Sequence, residues 1–271
     1  MIGDGFGRAT AVVRVDGSDG SDVLAFRGEV HEGWDIGGNA NGGYLLAIAG
    51  RAMSEAVGRP PVTLTAHYLR PAPAGPCTVD VCVVRRGRRF ATVTANLDME
   101  HGRVLQLLGT FGVSDPDDDR RLHTIVNPIE LPPYDTCVER PQTAETPSLM
   151  SNLAVRLHPE DVGFATGVPS GRPEMRGWFE LLDDEPIDEI ALLLATDVMP
   201  PSVFNTELPV GWVPTIELTV HVRAVPAPGP LRCGFRSQFV QGGLTEEDGE
   251  IFDVDGTLVA QSRQIALLPR G

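Results

Sequence analysis

The sequence predicts an α+β protein made of two copies of one unit, each a long central helix wrapped by an antiparallel sheet. Three observations carry this. Thr65-Ala66-His67-Tyr68-Leu69-Arg70-Pro71-Ala72-Pro73-Ala74-Gly75-Pro76 aligns without a gap to Thr219-Val220-His221-Val222-Arg223-Ala224-Val225-Pro226-Ala227-Pro228-Gly229-Pro230, and the same offset carries Gly102-Arg103-Val104-Leu105 onto Gly256-Thr257-Leu258-Val259. Element order repeats as well, with a helix followed by four strands in each half. Finally, the first helix is apolar nearly all round, so a sheet must wrap it rather than lie flat beside it. Two matches at one offset mark a duplicated unit of about 115 to 120 residues, a usual domain size.

Taken in order, the chain opens with strands over 11–15 and 23–30. The loop between them, Asp16-Gly17-Ser18-Asp19-Gly20-Ser21-Asp22, lacks calcium-loop spacing and closing Glu, so it is a turn. Gly37-Gly38-Asn39-Ala40-Asn41-Gly42-Gly43-Tyr44 then leads into a helix running to about Val57, ended by Gly58 and Pro60-Pro61. Strands follow over 62–69, 78–84, 90–99 and 104–111, separated by Pro/Gly turns, an arginine cluster and His101-Gly102. Residues 114–150 are Pro-rich and aperiodic and read as a linker. The expected organisation is a first unit over 1–113, the linker over 114–150 and a second unit over 151–271.

Composition narrows the function. A net charge of −15 argues against nucleic acid as a partner. All 22 basic residues are Arg, which removes lysine-based chemistry. Arg85-Arg86-Gly87-Arg88-Arg89 is the one dense basic cluster, either a solvated hairpin turn or a phosphate contact. No apolar run is long enough to span a bilayer and the N-terminus has no signal pattern, so the expectation is a soluble cytoplasmic protein without membrane association. Cys77, Cys82, Cys137 and Cys233 show no metal-type pairing and are expected to be free core thiols; no metal site is expected.

One segment breaks local rules. Read as a helix, the stretch from Ile190 to Met199 puts Ile190, Leu193, Leu194 and Asp197 on one face, with Pro200-Pro201 stopping the helix. Asp197 would then sit on a buried stripe and in the last turn, where the helix dipole disfavours negative charge. Such a violation marks a site, the plain alternative being a mis-phased surface Asp.

These features together resemble the type II acyl-CoA thioesterase (acyl-CoA hydrolase) family, a double hot-dog fold. The residues that carry the resemblance are Asn41-Gly42-Gly43-Tyr44, Leu69-Arg70-Pro71, Ala195-Thr196-Asp197, Pro214-Thr215-Ile216-Glu217 and Leu258-Val259-Ala260-Gln261-Ser262-Arg263-Gln264. The resemblance implies hydrolysis of acyl-CoA thioesters to free acid and coenzyme A. It further implies that Asp197, Thr215 and Gln264 position and activate a water, with no cofactor beyond the coenzyme A of the substrate. The substrate carrier is coenzyme A or an acyl-carrier protein, and the assembly is expected to be a homodimer or larger. The chain departs from the family at Glu217-Leu218, where Asp-His is common.

The residues are compatible with that chemistry. A thioester hydrolase needs a base, a positioned water and donors for the oxyanion. Burial raises a carboxyl pKa toward the working pH, which suits Asp197 as base. Gln264 shares a strand face with Ala260, Ser262 and Ala266 and needs a partner there, a water or neighbouring backbone. Strict alternation puts Thr215 with Glu217, Thr219 and His221, away from the helix, unless the strand bends just after Pro214. The N–H groups of Gly42, Gly43 and Tyr44, free at a helix start, are the expected oxyanion donors. His67 and His221 recur at matching positions and read as scaffold. No Gly-x-Ser-x-Gly elbow occurs. The competing readings are a non-catalytic acyl or acyl-CoA binding protein and a hydratase or dehydratase on the same fold.

Overall fold

The computed structural model describes residues 5–15, 23–113, 128–139, 146–183 and 185–268. The loop over 16–22, the acidic stretch over 115–121 and most of the expected linker lie outside these residues.

The first half is built as its pattern requires. Strands β1 (Val23–Val30), β2 (Pro61–Tyr68), β3 (Gly75–Arg86), β4 (Phe90–Met99) and β5 (Gly102–Gly112) surround helix α2 (Gly42–Val57), which follows the single-turn α1 (Phe6–Ala9). Asn41 caps α2, its side chain accepting from the Tyr44 N–H at 2.9 Å. Gly58 ends the helix in the left-handed region at φ 67°, a conformation that costs a residue with a Cβ. Tyr44, Leu46, Ala47, Ile48, Ala49, Ala52 and Met53 are fully buried, so almost every face of α2 meets protein.

Part of the basic cluster serves this helix. Arg86 donates to the carbonyls of Val57 at 3.1 Å and Ala56 at 3.0 Å, while Arg59 returns bonds to the carbonyls of Gly87 and Arg88. A guanidinium on the last carbonyls of a helix satisfies orphan acceptors and opposes the dipole. Arg86→Ala is therefore expected to lower stability by about 1 kcal/mol, read by denaturant unfolding, with the fold retained.

The second half repeats the sheet with β6 (Leu153–Leu157), β7 (Glu174–Leu181), β8 (Thr215–Val222), β9 (Leu231–Arg236), β10 (Leu244–Phe252) and β11 (Leu258–Leu267). Strand order runs β1-β3-β4-β5-β2-β8-β11-β10-β9-β7-β6, with short strands at each end, in one 14-stranded sheet among the described residues. The halves join where β2 pairs antiparallel with β8 and Thr65 stands opposite Thr219. Their hydroxyls meet at 2.8 Å, a separation of 154 residues that matches the repeat offset. Like residues facing each other place an approximate two-fold axis at this seam.

The halves differ in their helices. The segment 154 residues after α2, residues 196–211, starts with Thr196-Asp197 and meets Pro200-Pro201 within its first turns. Two prolines remove N–H donors and clash with the preceding turn, so only the 3₁₀ turn Ser202–Asn205 forms there. The apolar run before it makes the short α3 (Ala191–Ala195), buried on all sides and packed on α2. The expectation of a long central helix in each unit is thus corrected: among the described residues α2 has no long counterpart. Asp197 lies beyond the α3 cap Thr196 rather than in a last helical turn.

Cys77, Cys137 and Cys233 are buried and Cys82 half-buried, all as free thiols. His67 and His221 are exposed on the outer face of β2 and β8. Among the described residues, no helix is long and apolar enough to cross a membrane.

Candidate active site

The site forms where the second half presses Asp197 against the start of α2. Asp197 Oδ2 accepts from the Gly43 N–H at 2.9 Å and from Asn41 Nδ2 at 3.0 Å, and Asn41 Nδ2 also donates to the Asp197 carbonyl at 2.7 Å. Gly43 and Asp197 are themselves 154 residues apart, so equivalent positions of the two units meet near the two-fold axis, one as donor and the other as carboxylate. Only glycine allows this approach: a Cβ on Gly43 would stand 2.8 Å from the Leu194 carbonyl oxygen, and one on Gly42 would stand 2.9 Å from Asp197 Oδ2.

Two opposing effects set the charge on Asp197. Enclosure by protein pushes its carboxyl pKa up, while the N–H groups of Gly43 and Gly42 and the Asn41 amide favour the ionised form. The nearby Glu247 adds a further upward push, and the balance leaves the pKa at about 6. A carboxylate with that value is mostly ionised at neutral pH and still basic enough to take a proton.

The oxyanion donors expected at the helix start are engaged by the protein itself. The Gly43 N–H goes to Asp197, and the Tyr44 N–H goes to the Asn41 cap. The Gly42 N–H helps hold the same carboxylate. Tyr44 is fully buried, stacks on Trp34 at 5.1 Å between ring centroids and donates its hydroxyl to the Ala9 carbonyl at 2.7 Å. The helix dipole that was to stabilise a substrate oxyanion stabilises Asp197 instead, and Tyr44 is a structural pillar.

Thr215 and Gln264 meet as the bend after Pro214 requires. Thr215 pairs with Ala266 whereas Glu217 pairs with Ile265, so a bulge takes up one residue at the start of β8 and turns Thr215 to the inner face. Its hydroxyl donates to Gln264 Oε1 at 2.9 Å. The first unit carries the same irregularity 154 residues earlier, between Pro61 and Thr63, with no side-chain donor at its start. The bulge is a device of the repeat, and only the second copy places a hydroxyl on it.

Gln264 Nε2 donates in turn to Glu247 Oε1 at 2.9 Å, and Glu247 Oε2 accepts from the Ser202 N–H at 2.6 Å. In the sequence Glu247 sits between Glu246 and Asp248, and these acidic neighbours mask it as a buried position. Period-two alternation back from the buried Ile251 would have found it: Thr245, Glu247, Gly249 and Ile251 are the buried residues of β10 up to that point, alternating with half-exposed ones.

Asp197, Thr215, Gln264 and Glu247 all line one cavity of about 300 Å³. Its walls include Ile36, Leu45, Met199, Val213 and Phe235, and among the described residues Arg70 is the one cationic side chain on it. Tyr68, also on the wall, donates to the Gly42 carbonyl at 2.9 Å; burial and the nearby Asp197 push its pKa well up, so it stays a neutral phenol. Trp212, half-exposed, also lines the cavity. Asp35 takes part in a turn, accepting from the Gly38 N–H at 2.9 Å.

Comparison with known proteins agrees with this architecture. Residues 30–112 match the acyl-CoA thioesterase N-terminal domain and residues 131–268 match the acyl-CoA thioesterase C-terminal domain. A putative thioesterase II from Thermobifida fusca is 31% identical, with a TM-score of 0.86 and coverage of 98% of this chain and 97% of that one. The fold is shared with acyl-CoA thioesterase II TesB2 from Mycobacterium marinum, at a TM-score of 0.70, 16% identity and 98% coverage of both chains. An uncharacterized protein of Mycobacterium tuberculosis is 28% identical over 97% of this chain and 98% of its own length. The two domain matches, in order and covering more than half of the chain, show that it belongs to the acyl-CoA thioesterase family and is a thioester hydrolase.

Proposed function

We propose that the protein hydrolyses acyl-CoA thioesters to free acid and coenzyme A by direct attack of a water, with Asp197 as base and with Thr215 and Gln264 holding that water. The observation that carries this reading is a buried carboxylate with a pKa of about 6, clamped across the two halves and opening on the same cavity as a bonded Thr-Gln pair.

Each group has a defined task. Gly43 and Asn41 both engage Oδ2 of Asp197, and the lone pairs that the helix start does not use are the ones assigned to take the water proton. Because Thr215 gives its own proton to Gln264, its lone pairs can accept from the water. Gln264 Nε2 has a second hydrogen beyond the one given to Glu247, and this is offered to the water or to the developing oxyanion. The water oxygen bonds to the thioester carbon, the C–S bond breaks, and the proton held on Asp197 goes to the departing thiolate. This route uses the side chains of one half and a base oriented by the other. Apolar walls suit an acyl chain, and Arg70 suits a phosphate of coenzyme A. Among the described residues no His lines the cavity, so they offer no His for a hydratase or dehydratase that relies on one.

The test is release of free thiol from a panel of acyl-CoA substrates of graded chain length. Turnover on at least one member is expected. Tight binding with no thiol released from any member would replace the enzyme with an acyl-binding module.

A further inference from the structure

We infer that Glu247 is a positioning residue of this site, a second carboxylate whose task is to fix which way round the Gln264 amide lies; the inference rests on the hydrolase reading above. A side-chain amide between two partners has two orientations, and its partners decide between them. Thr215 does not decide, because a hydroxyl can give or take a hydrogen bond. An ionised carboxylate only accepts. Glu247 stands opposite Gln264 in the β10–β11 register, is 7% exposed, and receives Gln264 Nε2 on one oxygen and the Ser202 N–H on the other.

The consequences run through the site in one direction. With its NH₂ end drawn to Glu247, Gln264 must turn Oε1 to Thr215, and Thr215 must donate. Only in that orientation does Thr215 keep its lone pairs, and Gln264 its spare N–H, for a water or an oxyanion. The support of Glu247 is itself built. Ser202 offers the first backbone N–H after Pro200-Pro201, its hydroxyl meets that of Ser237 at 2.8 Å, and Thr245 donates to Ser237 at 3.2 Å. These groups are all buried, Ser202 fully. A buried carboxylate carries a desolvation cost that an apolar residue of like volume would avoid, so packing alone does not account for it.

The test is Glu247→Gln, which keeps shape and removes the pure acceptor. The Ser202 N–H would hold the new amide by its oxygen, aim its NH₂ at Gln264, and so invert Gln264 and make Thr215 an acceptor. The expected result is a fall of about 10- to 100-fold in kcat for acyl-CoA with KM within about threefold of the parent, in a protein of unchanged circular dichroism. A folded variant with kcat within about twofold of the parent overturns the assignment. If Glu247→Gln does not fold, Glu247→Met, which removes the buried charge at like volume, is read by the same two criteria. Parent protein that releases no thiol from any acyl-CoA defeats the hydrolase reading and this inference with it, whereas active parent and equally active variants defeat this inference alone.

Discussion

Asp197→Asn is expected to lower kcat for acyl-CoA hydrolysis by on the order of a thousandfold while leaving KM nearly unchanged. The substitution keeps an oxygen for the Gly43 N–H and the Asn41 amide, so the clamp between the halves survives and only the base is lost. Parent kcat/KM should rise with pH through about 6, as Asp197 loses its proton, and level off above it. Steady-state thiol release at pH 5, 6, 7 and 8 checks both statements. An Asn variant that turns over at the parental rate at pH 8 removes Asp197 from the mechanism.

The same variant should be more stable than its parent at high pH. The folded carboxyl pKa of about 6 lies above the ordinary 3.8, so between pH 4 and 6 the folded state binds more protons than the unfolded one. Stability therefore falls as pH rises through that window, and above it the ionised form carries a cost on the order of 3 kcal/mol. Asn carries no such cost. Denaturant unfolding should place Asp197→Asn above the parent by up to roughly 2–3 kcal/mol at pH 8 and level with it at pH 4. Glu247, whose pKa burial also raises, repels the Asp197 carboxylate, and relief of that repulsion is part of the gain in the Asn variant at high pH. A gain in stability with a loss of activity is the signature of a group held in an unfavourable place for chemistry.

What the sequence made legible was what repeats or violates a local rule. The duplication was readable because the seam pairs Thr65 with Thr219 and so holds both copies to one strand pattern. Asp197 stood out through its place at the end of an apolar run, whereas Thr215 rested on the family resemblance, since strict alternation puts it away from the helix. The helix boundary was misread because the spacing of Ile190, Leu193 and Leu194 is helical in fact, and periodicity alone does not say that the chain leaves the helix at Thr196. The partners of the helix-start N–H groups were not legible for another reason. A free N–H at a helix start is a local inference, but which acceptor reaches it is decided by a residue 154 positions away. Glu247 escaped because two acidic neighbours hid a buried position.

Gly43→Ala carries the second large effect, and it tests the contact on which the site turns. The added Cβ would meet the carbonyl oxygens of Leu194 at 2.8 Å and Leu193 at 3.0 Å, and Cβ of Asp197 at 3.0 Å. Two of these are backbone atoms of α3, which is fully buried and cannot swing away as a flexible side chain would. Either α3 shifts outward or the start of α2 does, and the expected loss of stability is about 1–3 kcal/mol. Activity should fall further than stability suggests. The Gly43 N–H and the Asn41 amide hold Asp197 from one side only, so a displacement of a few tenths of an ångström changes the angle at which its carboxylate meets the water. Misplacement of a catalytic group on the ångström scale costs about 100-fold, so kcat should drop by roughly 10- to 100-fold in protein that remains folded at assay temperature. Gly50→Ala provides the contrast. Its Cβ would meet only a flexible side-chain end of α3, Leu193 Cδ1 at 2.6 Å, with Leu64 and Ile190 side chains at ordinary distances. That variant also strains the α2–α3 contact but leaves the Asp197 clamp alone. If Gly50→Ala lowers kcat as much as Gly43→Ala, general loosening of α3 explains the loss; if kcat falls only in Gly43→Ala, the close approach of the two half-sites is what orients the base.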